Sequence, residues 1–368
     1  MKIVLLSGAY KNAGDFLIVH RCKELLQYCF PNCEISEFKR NVDLTDNLQE
    51  INASDCIFIG GGPAYTCDFY PGIIKMCQNL EDIHVPIIPL GLGWWGMTSN
   101  IEEIERCKFS SASRQLLDKM FKGVKALSCR DWESFHVLRQ NGFEAVMTGC
   151  PAWYDISHVN EMQLRKNKSD YICISDPAVP KNRKILLQLI DYLVKRYPER
   201  KIRVIFHRGC GETDKYTGQK IAKSQQTLRA QLVARGCECL NIAYSHEGFH
   251  YYDDCFLHIG FRVHAHIYNL SKRQKSILIE EDSRGNGINY AVGLPGIKAY
   301  RNIPVANCRP YRIYMRKFNC NSNAVGELEL LLNELEVNDQ ILYRGVFARM
   351  QEKFEVMTSY MKEIQGIL

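Results

Sequence analysis

The sequence predicts an α/β protein of two halves, each a parallel sheet with helices on both faces. Three observations predict this class. Short apolar runs alternate with amphipathic stretches through both halves of the chain, as in repeated strand–helix–strand units. Several of the runs end in Gly-rich loops. The chain has 368 residues, enough for about two domains.

In the first half, residues 2–7 (KIVLLS) read as a buried strand bounded by Gly8. Residues 16–30 place Leu17, Ile18, Cys22, Leu25, Leu26 and Cys29 on one helical face. Further strands are expected at 34–38, 55–59, 86–90, 125–129 and 145–148, with a helix at 131–141. Residues 157–169 are polar and lysine-bearing, as a linker would be. In the second half, strands are expected at 170–175, 202–206, 239–242, 256–259 and 276–279. Helices are expected at 184–196, stopping before Pro198, and at 219–235. Residues 324–368 contain few helix breakers and read as helices. The expected division is an N-terminal domain at 1–156, a C-terminal domain at 170–322 and a helical tail at 323–368 that packs back on the first domain.

Composition excludes several classes. Hydrophobic residues make up 46% and charged residues 24%, so the chain is neither disordered nor a coiled-coil rod. The net charge is +6, with no long Lys/Arg block. That suits a pocket for small anions and argues against nucleic acid. Sixteen cysteines carry no Cys-x-x-Cys pair, and the only tight pair is Cys237 and Cys239. They read as buried thiols of a reducing compartment rather than zinc ligands or disulfides. The N-terminal stretch lacks the apolar core of a secretion signal. The most apolar later run, 85–95, is broken by Pro and Gly and is too short to span a bilayer. A cytoplasmic location is expected, which makes the sequons at Asn52, Asn167 and Asn269 chance matches.

Open parallel sheets bind ligands beyond the carboxyl ends of their strands. Those ends carry unusual residues here: Asn12-Ala-Gly14-Asp15, Gly60-Gly61-Gly62-Pro63, Gly91-Leu-Gly93-Trp94-Trp95-Gly96 and Ser128-Cys-Arg130-Asp131. Glycines let backbone N–H groups approach an anion. Trp94 and Trp95 read either as core or as aromatic faces for a sugar ring. No P-loop and no dinucleotide fingerprint occurs. The sharpest cluster is Arg262-Val-His264-Ala-His266, preceded by Tyr244-Ser-His246-Glu247. On a strand end, Arg262 and His264 would face one side. Arg262 would then hold a carboxylate or phosphate, and His264 would move a proton. A capped strand-to-helix turn with a satisfied histidine is the competing reading. Zinc on His264 and His266 is another, and a nucleophilic Cys150 a third.

Taken in order, these motifs resemble the polysaccharide pyruvyl transferase family. The resemblance rests on Asn12-x-Gly14-Asp15, Gly60 to Gly62, Gly91-x-Gly93, Ser128-x-Arg130-Asp131 with Ser134, Gly149-Cys150-Pro151-Ala152, and Arg262-x-His264. It covers about residues 1–300. Two positions depart from the family pattern: Cys150 stands where the family has Asp, and Arg284 stands near where it often has Lys. The resemblance implies two Rossmann-like domains similar to GT-B glycosyltransferases, with the active site between them. The implied reaction moves a pyruvyl group from phosphoenolpyruvate onto a sugar diol of a cell-surface polysaccharide or its precursor, forming a ketal and releasing phosphate. Phosphoenolpyruvate is then a co-substrate, and no cofactor or metal is expected. His264, Asp15 and Glu247 are the expected catalytic residues. Arg262, Arg284, Arg130 and His207 are expected on the donor. Asn12, Gly14, Gly61, Gly62, Trp94 and Trp95 are expected at the acceptor side, which would be the first domain, with the donor on the second. The acceptor would be a sugar or a lipid-linked oligosaccharide, and the latter would bring the enzyme to a membrane surface. A glycosyltransferase using a nucleotide sugar on the same scaffold is the alternative.

Overall fold

A computed structural model describes residues 1–165, 169–301 and 320–368. Asn167 and part of the expected linker lie outside these residues. The chain divides into two compact units. Unit 1 comprises Met1–Ala9, Ile18–Val159 and Arg349–Leu368, and unit 2 comprises Tyr10–Leu17 and Asn160–Ala348.

Unit 1 is built on β1 (Lys2–Ser7), β2 (Glu34–Lys39), β3 (Cys56–Gly60) and β4 (Ile87–Leu90), in the order β2-β1-β3-β4. All neighbours are parallel. Ile3 to Leu6 and Cys56 to Ile59 are buried throughout, because a parallel sheet is covered on both faces. The edge strand β2 (EISEFK) carries the mixed pattern of a half-exposed strand. A separate parallel pair, β5 (Leu127–Cys129) and β6 (Ala145–Met147), lies beyond β4. Helix α1 is Ala13–Cys29, and α2 (Leu48–Asn52), α3 (Phe69–Gly72) and α4 (Ile101–Glu105) are short. α5 (Ser111–Lys122) starts at Ser110, whose hydroxyl accepts from the Ser113 N–H. α6 (Trp132–Gln140) starts at Asp131, whose carboxylate accepts from the Ser134 N–H at 2.9 Å. Both are side-chain N-caps, each worth about 1 kcal/mol.

Unit 2 holds one six-stranded parallel sheet in the order β12-β11-β10-β7-β8-β9. Its strands are β7 (Tyr171–Ser175), β8 (Lys201–Phe206), β9 (Glu238–Asn241), β10 (Leu257–Gly260), β11 (Ser276–Glu280) and β12 (Ile297–Lys298). The connecting helices are α7 (Arg183–Arg196), α8 (Gln219–Val233), α9 (Val263–Ser271) and α10 (Ser283–Val292). α10 is capped by Asp282 and ends at Gly293, whose φ of 70° is the left-handed stop that glycine adopts freely. A last helix, α11 (Ala324–Gln365), is interrupted at Asn338. Its Tyr343 hydroxyl is fixed on the Ser276 main chain at 2.9 Å in unit 2, and its Tyr360 hydroxyl donates to the Pro89 carbonyl in unit 1. None of the helices is long and apolar enough to cross a membrane, among the described residues. The fifteen described cysteines are all free. Asn269 is fully buried within α9.

Candidate active site

Strands β7, β8 and β9 step outward one way across the unit 2 sheet, while β10, β11 and β12 step the other way. The order reverses between β7 and β10, and such a switch point opens a crevice at the strand ends. A pocket lies there, lined by Asn12, Ala178, His207, Arg208, Phe261, Arg262, Val263, His264, Glu281, Asp282 and Arg284. It is a small cleft that opens to solvent. The stretches after β7, β8, β10 and β11 line it together with Asn12 from the loop after β1, so residues far apart in sequence meet there.

Arg262 is the N-cap of α9, not the end of a strand, and His264 sits in the helix's first turn. Ser175 Oγ, at the end of β7, accepts from the Arg262 N–H at 3.0 Å. The Arg262 guanidinium is gripped by Asp176, Nε to Oδ1 at 2.8 Å and Nη2 to Oδ2 at 2.6 Å. Burial disfavours its charge, but Asp176 outweighs this and leaves its pKa raised. Arg284 repeats the arrangement with Asp282, at 2.9 and 2.6 Å. In both forks Nη1 forms no hydrogen bond among the described residues, so each arginine keeps donors for a ligand. Arg208 forms no side-chain hydrogen bond among the described residues. Its pKa is lowered by crowding of the guanidinium and by Arg262, with Asp15 pulling the other way. Asp15 also acts on Arg284.

Gly14, near the start of α1, lies directly against His264. A β-carbon there would fall 2.6 Å from the imidazole Cγ and closer still to Nδ1. The Asn-x-Gly-Asp and Arg-x-His motifs therefore meet, and the glycine makes room for the ring. The Ala13 N–H donates to the His207 carbonyl at 3.0 Å, fixing the same loop to β8. The helical spacing separates His264 from His266: His264 lines the pocket, while His266 is buried with Nδ1 2.7 Å from Ser276 Oγ. Among the described residues no group of three His, Cys, Asp or Glu is arranged to hold a metal ion.

Other expected site residues are placed differently. His207 lines the pocket but is fully buried, with Nε2 2.8 Å from the Tyr252 hydroxyl and its ring against Phe249. Burial and neighbouring Arg262 push its pKa far down. Its burial against Tyr252 and Phe249 favours the uncharged ring. Glu247 is exposed at the start of a 3-10 turn and does not line the pocket.

Arg130 belongs to unit 1, where it is buried. Its Nε donates to Asp131 at 2.7 Å and its Nη2 to the Trp94 carbonyl at 3.1 Å. It ties the Gly93–Trp94 loop to α6 rather than facing solvent. Trp94 is buried in unit 1 and is core, whereas Trp95 is 44% exposed. Gly61 and Gly62 are also in unit 1, both at positive φ, and Arg40 holds the loop by donating to the Gly61 and Pro63 carbonyls. Cys150 is buried against this loop, its thiol near the N–H groups of Gly62 and Ala152, with its pKa raised by burial. A buried thiol held in the protonated form is a poor nucleophile.

Arg208 and Glu281 are among the pocket residues not expected from sequence. Arg208 directly follows His207 at the end of β8, and its signal was an Arg-Gly step at a strand end. Glu281 follows β11 and accepts from the N–H groups of Ala178 and Val179 and from Asn182 Nδ2, at 2.7–2.9 Å. Burial pushes its pKa up to about 7, with Arg262 and these donors opposing.

The fold recurs in solved structures. The chain superimposes on UDP-GlcNAc 2-epimerase from Neisseria meningitidis bound to UDP-GlcNAc with a TM-score of 0.55 and 10% identity, covering 100% of each chain. It superimposes on the S. aureus MnaA-UDP co-structure with a TM-score of 0.52 and 10% identity, covering 94% of this chain and 90% of that one. These are GT-B-like folds, and the likeness is one of fold alone. No curated protein matches the sequence. The model of the polysaccharide pyruvyl transferase family matches residues 12–283, a span that includes both the Asn12 loop and the Arg262–His264 turn. The chain is a member of the polysaccharide pyruvyl transferase family.

Proposed function

We propose that the unit 2 pocket binds phosphoenolpyruvate and that the protein transfers its pyruvyl group to a sugar diol as a cyclic ketal. The observation that carries this reading is the convergence of Arg208, Arg262, Arg284 and His264 on one pocket at the sheet's switch point. Phosphoenolpyruvate carries a carboxylate and a phosphate, and three guanidinium groups suit that pair of anions. The paired aspartates hold two of the forks in place before any ligand arrives, which lowers the ordering cost of binding.

The chemistry follows from these groups. His264 protonates the enol CH₂, and positive charge develops at the adjacent carbon. A sugar hydroxyl forms a C–O bond to that carbon as Asp15 takes its proton. The second hydroxyl then forms the other C–O bond as the C–O bond to phosphate breaks. Of the two hydroxyl protons, one balances the proton now on the methyl group and one leaves with phosphate. The arginines stabilise the departing phosphate.

Thermal shift tests the reading. Phosphoenolpyruvate at ~100 times its dissociation constant should add about 2.7 kcal/mol of stability. Arg208→Ala should remove most of that gain, and it leaves no buried carboxylate stranded. Stabilisation by a nucleotide sugar and not by phosphoenolpyruvate would overturn the reading and favour glycosyl transfer.

A further inference from the structure

We propose that Tyr216 and Tyr244 of unit 2 form a stacking platform for a saccharide ring of the acceptor. This rests on the transferase reading above and assigns its acceptor side to unit 2 residues.

Both tyrosines are large aromatic residues left in solvent, 44% and 42% exposed. Their ring centroids are 6.4 Å apart with planes inclined at 34°, and Tyr10 meets Tyr216 edge-on at 6.3 Å. Tyr244 has a φ of 72°, a left-handed conformation that is costly for a bulky residue. Its N–H donates to the Lys11 carbonyl at 2.9 Å, which holds it there. The chain thus accepts backbone strain to present a ring that is not buried.

The surroundings match a sugar rather than an apolar partner. Lys11 Nζ sits 5.5 Å from the Tyr244 centroid and 2.5 Å from Asp214 Oδ2, and it also donates to Thr217 Oγ1. Lys215 Nζ lies 4.9 Å from the Tyr216 centroid. Lys11 is itself buried and lies over the Tyr244 ring, as Lys215 does over Tyr216, so these cations brace the rings, and a pyranose would set its apolar C–H face on the exposed part of the pair.

The platform is also continuous with the anion pocket. Asn12 lines that pocket, and the preceding Lys11 underlies Tyr244. Arg208 lines it too, and the same loop after β8 carries Tyr216. Gly209, next to Arg208, lies against the Lys11 side chain. A sugar stacked on the tyrosines would therefore lie beside the proposed donor.

Saturation-transfer NMR with the methyl glycosides of glucose, galactose, mannose and N-acetylglucosamine tests this without needing turnover. At least one should receive saturation from the wild type. Tyr216→Ala and Tyr244→Gly should each weaken that binding about tenfold, the scale of one aromatic contact. Tyr216→Phe should retain it. Tyr244→Gly relieves the strained backbone but also removes the hydroxyl that bonds Asp214, so melting curves check the folding of both variants. No transfer to any glycoside, or transfer unchanged in the two variants, overturns the proposal. Phosphoenolpyruvate-induced thermal stabilisation, measured on the same samples, reports the donor pocket separately. Its absence would refute the donor reading while leaving the saccharide result to stand or fall alone.

Discussion

Gly14→Ala tests whether the two motifs work as one site. The new β-carbon would lie 2.6 Å from His264 Cγ. Carbon atoms prefer about 3.5–4.0 Å, so the ring must retreat by roughly 1 Å or change rotamer. With His264 in the proposed proton-transfer role, a displacement of that size costs on the order of 100-fold in turnover. Stability should suffer far less. Overpacking costs about 1–3 kcal/mol, and alanine for glycine in a helix returns about 1 kcal/mol. The net loss should be about 0–2 kcal/mol. Phosphate release from phosphoenolpyruvate with a saccharide acceptor gives the rate, and urea unfolding gives the stability. The imidazole NMR signal of His264, assigned by its loss in His264→Ala, should shift. In a His264→Ala background the same change should alter the residual rate less than about threefold, because the displaced group is already absent. Wild-type turnover in Gly14→Ala with an unmoved His264 signal would refute the reasoning.

Other outcomes follow from the same pocket. Asp176→Ala strands the buried Arg262 charge and should destabilise the protein by about 3–5 kcal/mol; added phosphate should restore part of this by pairing with the guanidinium, and an unchanged urea midpoint would contradict the pairing. Glu281 has a folded pKa raised to about 7, so the folded state holds a proton that the unfolded chain releases at lower pH. Its contribution to stability is therefore full below the ordinary carboxylate range and is lost as pH rises through about 7. Glu281→Gln should flatten the decline across that window, and an identical pH profile of melting temperature would count against the shift. Tyr343→Phe removes a hydroxyl that both accepts from and donates to the Ser276 main chain. It should lower stability by about 1–3 kcal/mol, and equal urea midpoints would show that bond to be idle.

Strand positions were legible because parallel strands are covered on both faces and so read as unbroken apolar runs. Eleven expected strands correspond to β1 through β11 within a residue or two, while the two-residue β12 carried no run long enough to read. The expected helices correspond to α1, α6, α7, α8 and α11, while α5 and α10 were not expected. α9 was not legible either, because its sequence VHAHIYNLS is buried almost all round and shows no polar face. The Arg262–His264 pair was found by its residue types, yet its geometry differed: helix periodicity, not strand alternation, sets where the two side chains point.

By itself the sequence determined the fold class, the loop chemistry and the family, since these depend on local patterns and on motif order. Only the tertiary structure decided which loops share a pocket. That follows from the strand order β12-β11-β10-β7-β8-β9, which is a matter of three-dimensional packing. It also separated neighbours that sequence treats alike. His207 turns into an aromatic core while Arg208 remains exposed at the pocket, and Trp94 is buried while Trp95 faces solvent. Successive side chains leave an extended backbone on opposite sides, so one residue of register decides whether a group is core or site.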